Sequence, residues 1–133
     1  MLTLEASAEE LDINWAKKDL IDAYATKKDY KKALAYAKDL QKSKDRMFEY
    51  HGIYSEAYIT KELGKSIPEM KQKAIELYNK AIAYYRNCMI SRPADYTALI
   101  YRIKANVDIG NREQVKKSYS TVFKSYEELN GMI

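Results

Sequence analysis

Breaks and cross-links are what this sequence is short of. Four glycines and two prolines in 133 residues leave few points where a helix must stop, so long uninterrupted elements are expected. Runs of β-branched residues are absent, while Lys, Glu, Ala, Leu and Tyr dominate, which favours an all-α chain. The lone Cys88 excludes an intramolecular disulfide and fits a reducing compartment. No activating base accompanies it in the sequence, so an inert, packed thiol is expected. The lone His51 has no second His or Cys at zinc-site spacing; no metal site and no cofactor are expected. Phosphate loops and triad motifs are missing, and pairs such as Glu76–Lys80 read as solvated helix-face pairs. An enzyme is therefore not expected. No apolar run approaches the roughly 20 residues of a membrane span. The acidic start, MLTLEASAEELDINW, has no apolar core and does not read as a secretory leader. A cytoplasmic location and no membrane partner are the corresponding expectations.

Charge is plentiful but mixed. The net charge is +4, yet the basic residues come as scattered pairs, Lys17–Lys18, Lys27–Lys28, Lys31–Lys32 and Lys116–Lys117, with acidic residues among them. No single-sign block marks a nucleic-acid arm, and a nucleic-acid partner is not expected.

Start and stop signals divide the chain into six helices. Ser7 and Glu10 have capping-box spacing for a first helix from about Ala8 to Thr26, with Ile13, Ala16, Leu20, Ala23 and Tyr24 inward. Asp29 caps a second helix running to about Lys42, with Tyr30, Ala33, Leu34, Ala37 and Leu40 inward. Asp45 caps a third that ends at Leu63, where Gly64 is expected to take the left-handed conformation. Ser66-Ile67-Pro68-Glu69 opens the fourth as a capping box with proline in the first turn. Ser91-Arg92-Pro93 breaks that helix and opens the fifth, which ends at Ile109 before Gly110. Asn111 and Gln114 open the sixth, inward at Val115, Tyr119, Val122, Phe123, Tyr126 and Leu129.

Ala33, Ala74 and Val115 are each 41 residues apart, and a period of this size points to stacked helical hairpins. The sets Ala33/Ala37/Leu40, Ala74/Tyr78/Ala81 and Val115/Tyr119/Val122 repeat at i, i+4 and i+7, with a small or aliphatic residue at the first and third positions. The turns Lys28-Asp29-Tyr30 and Gly110-Asn111-Arg112 precede second helices. In these residues the chain resembles a degenerate three-repeat tetratricopeptide (TPR) array. The resemblance implies one domain over 1–133, a right-handed superhelix of three antiparallel helical hairpins. Repeat 1 covers about 8–44, repeat 2 about 46–90 and repeat 3 about 94–130. It departs from the pattern at Ile21 and Ile103, which are large, and in the extra residues KSIPE of the middle turn. A segment cut from a longer protein is compatible with this reading.

Thirteen tyrosines are the unusual feature. Tyr24, Tyr30, Tyr78, Tyr119 and Tyr126 fall on inward stripes. If Gly52, Ile53, Ala57 and Thr60 face the partner helix, His51, Tyr54 and Tyr58 face away from it. Leu11, Trp15, Lys18 and Asp22 do so on the first helix, and Thr97, Tyr101 and Lys104 on the fifth. The family likeness implies that Trp15, Lys18, His51, Tyr54, Tyr58, Tyr101 and Lys104 line one concave groove. Rings with a few cations suit a protein or peptide partner, the two lysines steering its acidic residues. The family's carboxylate clamp is poorly matched, since Asp22 stands where asparagine is expected. The wide apolar set of the sixth helix, with no polar cap before Gly131-Met132-Ile133, suggests docking of a second copy or of further chain. Three readings follow: a non-catalytic interaction module or scaffold; a sensor or dimerisation region of a larger signalling protein, such as a kinase or transcription regulator; and an RNA-binding helical repeat.

Overall fold

A computed structural model of the chain describes residues 8–117 and 120. Among these residues every regular element is helical and no strand occurs, as the composition predicts. The helices are α1 (Ala8–Thr26), α2 (Tyr30–Leu40), α3 (Arg46–Leu63), α4 (Pro68–Ser91) and α5 (Tyr96–Asp108), and residues 112–117 are again helical. Ser7, Tyr119, Val122, Phe123, Tyr126, Leu129 and the final Gly131-Met132-Ile133 lie outside the described residues.

Side-chain caps set most helix starts. The Asp29 carboxylate accepts the Lys32 N–H at 3.3 Å, Asp45 that of Met47 at 3.0 Å and Asp95 that of Ala98 at 3.1 Å. The Asn111 side chain accepts the Gln114 N–H at 3.4 Å. Each such cap satisfies a donor the helix cannot, worth about 1 kcal/mol. Three expectations change. The fifth helix starts after Asp95, not at Pro93, because Pro93 sits in a turn and only Asp95 supplies an acceptor for the first N–H groups. The Ser66 hydroxyl does not cap α4; it donates to the Leu63 carbonyl at 3.4 Å and so serves the end of α3. Gly64 is right-handed, with φ −63° and ψ −15°. Space rather than backbone angle requires glycine there, since a Cβ would lie 2.9 Å from Lys71 Cγ and 3.0 Å from Lys71 N. Among the described residues the left-handed ones are Lys28, with φ 63°, and Gly110, with φ 75°.

The chain forms two compact units, Met1–Ala81 and Ile82–Ile133, divided within α4. In the first, α1, α2 and α3 pack against one another around Ile21, Ala33, Ala37, Leu40, Phe48 and Ile59. The small residues at the α2–α3 crossing do what their size suggests. Ala33 and Ala37 are fully buried, and a Cβ on Gly52 would lie 2.8 Å from the Ala37 carbonyl oxygen and from Gln41 N. Ala74 and Ala81, at the matching positions of α4, are also buried, and Val115 is half-buried.

The inward face of α1 differs from the expected one. Ile13, Ala16 and Ala23 are exposed, and the buried residues are Asn14 and Ile21. Asn14 hides its amide by donating to Ser43 Oγ at 2.9 Å, and Lys17 pairs with Asp39 at 2.7 Å on the same side. A polar residue that finds a partner can thus lie inward where an apolar pattern points elsewhere. In the second unit Tyr85 and Tyr101 pack with ring centroids 5.9 Å apart. Cys88, Ala98, Leu99, Ala105 and Asn106 are buried, the last with its amide donating to the Arg102 carbonyl at 3.0 Å.

Candidate functional site: an aromatic face on the first unit

Trp15 projects from α1 and is 48% exposed. It is nevertheless fixed. Phe48 of α3 meets it edge-to-face, with centroids 5.1 Å apart and planes at 90°, and Lys18 Nζ lies 5.5 Å from its ring centroid. An edge-to-face pair adds about 0.5–1.5 kcal/mol beyond area burial, and a cation over an exposed ring about 0.5–1 kcal/mol. The indole is a half-open surface backed by a ring and a cation.

Further along α3, Tyr54 and Tyr58 stack one helical turn apart, with centroids 6.3 Å apart. Tyr54 leans on Tyr78 of α4 at 6.3 Å. Tyr58 is exposed, Tyr54 half-buried and Tyr78 buried, so the stack runs from interior to surface. Lys65 stands at its far end. Its pKa is raised, first by the hydrogen bond with Glu62 and then by that carboxylate's charge, with the ion pair at 2.7 Å.

Other sequence-selected groove residues lie differently. His51 is buried, at 9% exposure, because α3 has neighbours around most of its circumference: Phe48, Tyr50, Gly52, Ser55, Ala57, Ile59 and Thr60 are buried too. Tyr101 is buried at 7%, its ring against Tyr85, while Lys104 extends over the outer face of Tyr101 at 5.2 Å. The expectation that His51 and Tyr101 offer open rings is thus corrected. Trp15, Lys18, His51, Tyr54 and Tyr58 belong to the first unit; Tyr101 and Lys104 belong to the second.

Two features escaped the sequence reading. On α5, Tyr96, Ile100 and Val107 are all more than half exposed and recur at helical spacing opposite the buried Ala98 and Ala105. The spacing is visible in the sequence, but the register with Thr97, Tyr101 and Lys104 outward points to a different face of the helix. In the second unit Arg102 has its pKa lowered, first by burial and then by the neighbouring Arg86 charge. Its Nη2 donates to Gln114 Oε1 at 3.4 Å.

Elsewhere on the first unit, Glu10, Asn14, Lys17, Asp39, Ser43 and Lys44 help line an open recess of about 300 Å³. Asp39 in this recess has its pKa lowered, chiefly by the hydrogen bond from Lys17, which outweighs partial burial. Among the described residues no group of three or more His, Cys, Asp or Glu is placed to hold a metal ion, and no helix is long and apolar enough to cross a membrane. Compared with family models, with curated proteins and with solved structures, the chain gives no match.

Proposed function

We propose that this protein is a TPR-like helical-hairpin module that binds a peptide or helix of another protein. The half-open Trp15, locked between Phe48 and Lys18, carries the reading. An exposed indole held in one pose has already lost the rotational freedom that binding would otherwise remove, so burying it under a partner costs little entropy. Tyr58, backed by Tyr54 and Tyr78, supplies a second ring of the same kind. Tryptophan and tyrosine anchors of this sort dominate interface energetics. The short turns, the buried small residues at the α2–α3 crossing and the 41-residue spacing support hairpin stacking as the scaffold.

Screening the full chain on an immobilised peptide array tests this. Peptides selected by the wild type should be lost on Trp15→Ala or Tyr58→Ala, with helical circular dichroism unchanged. An array on which neither substitution alters any signal rejects the aromatic face as a binding surface.

A second reading, a dimerisation region of a larger signalling protein, is favoured by the outward stripe Tyr96, Ile100 and Val107. Sedimentation of wild type against Ile100→Lys decides it: a dimer abolished by the substitution supports the reading, and a monomer at high concentration removes it.

A further inference from the structure

The carboxylates around Trp15 identify the charge of the partner, an assignment that rests on the interaction reading above. Asp12 stands three residues before Trp15, Asp19 four after and Asp22 seven after, so all three share its face of α1. All three are exposed. None makes an ion pair or side-chain hydrogen bond among the described residues. The helix as a whole carries five carboxylates against two ammonium groups, a net charge of −3 in a chain whose total is +4. Of its two cations, Lys17 is tied to Asp39 and Lys18 is stacked on Trp15. An approaching chain therefore meets an indole ringed by three uncompensated carboxylates over about 15 Å of helix.

We infer that this exposed, acidic face of α1 docks a basic segment of another protein, one bearing arginines at helical spacing, and not an acidic one. Charge complementarity selects it: each guanidinium gains a carboxylate. A glutamate-bearing segment would bring like charges together along the whole stripe. The lysine steering of acidic residues expected from the sequence is reversed at this position, because Lys18 is occupied by its own tryptophan.

Trp15 is the only tryptophan, so its fluorescence reports this site and no other. The full chain is titrated with two synthetic helical peptides that share leucines and differ in carrying arginines or glutamates at positions three and four apart. The arginine peptide should shift Trp15 emission saturably at low salt, and the glutamate peptide should not. Neutralising the exposed carboxylates, Asp12→Asn with Asp19→Asn and Asp22→Asn, should weaken the arginine peptide roughly tenfold while circular dichroism stays the same. Raising salt should weaken it as well. A glutamate peptide that binds equally well, or an arginine peptide indifferent to the triple substitution, overturns the assignment. If neither peptide binds while array-selected peptides still depend on Trp15, the charge assignment fails and the interaction reading stands. If no peptide of any kind depends on Trp15, both fail.

Discussion

Replacing Gly52 by alanine should destabilise the protein, although helix propensity alone predicts the reverse. Gly52 lies within α3, where alanine is favoured over glycine by about 0.5–1 kcal/mol. Against this, the new Cβ would lie 2.8 Å from the Ala37 carbonyl oxygen, 2.8 Å from Gln41 N and 2.9 Å from Gln41 Cγ. Two of these atoms are backbone and cannot rotate away, so α2 must retreat from α3. Retreat would loosen the contacts of Ala33, Ala37 and Leu40, all fully buried. It would also stretch the bond from Gln41 Nε2 to the Gly52 carbonyl, now 3.2 Å. Overpacking of this kind costs about 1–3 kcal/mol, so a net loss of about 1–2 kcal/mol is expected. With a urea slope of about 1–3 kcal/mol per molar, the midpoint should fall by roughly 0.3–2 M. Urea denaturation followed by circular dichroism measures it, with Gln41→Ala added as a control. That second change removes the Cγ contact but leaves the backbone contacts, so it should not rescue. A Gly52→Ala variant as stable as wild type, or full rescue by Gln41→Ala, would refute a backbone-limited crossing.

Removing the cap of α3 with Asp45→Ala should cost about 1 kcal/mol in the same assay. Lys28→Gly should stabilise by up to about 1 kcal/mol, because lysine at φ 63° bears a left-handed strain that glycine does not. Asp39→Asn should lower stability slightly at neutral pH, by less than about 1 kcal/mol given its exposure. Because the folded pKa of Asp39 is lowered by Lys17, that contribution is present above the unfolded carboxylate range and lost as pH falls through the folded value. Wild type and Asp39→Asn should therefore converge in acid unfolding curves; a gap that persists at low pH would assign the effect to something other than the ion pair.

Local signals proved readable where one residue type answers one physical need. Asp29, Asp45 and Asn111 announced helix starts because a short acceptor is what the first N–H groups lack. Ala33 and Ala37 announced a close crossing because small side chains let backbones approach; that Gly52 also lies at it is shown only by the structure. Gly64 was recognised as special for a reason that does not hold: the sequence shows that glycine is present, but not whether backbone angle or a neighbouring Lys71 demands it. The face of α1 was misassigned for a related reason. Ile13, Ala16, Leu20 and Ala23 form a plausible apolar stripe, whereas the true inward face depends on Asn14 finding Ser43, twenty-nine residues away. Likewise His51 and Tyr101 are buried by neighbours that a one-helix register does not include.

The rotation of α1 links the core to the candidate site. Successive helical residues differ by about 100°, so turning α1 enough to bury Ile13 and Ala16 would carry Trp15 and Asp19 towards other surroundings and bring Ile21 to the surface. Ile21 is 2% exposed and belongs to the main core, and burying such a side chain contributes about 1.5–3 kcal/mol. The Asn14–Ser43 hydrogen bond and the Lys17–Asp39 pair act on the same side of the helix, each favouring the observed rotation. Away from these contacts, Trp15 meets Phe48 and the Lys18 ammonium, and the carboxylates beside it are exposed. The outward surface of α1 is thus a consequence of core packing: the residues that fix the helix lie on one side, and what they leave outward is the tryptophan and its three aspartates.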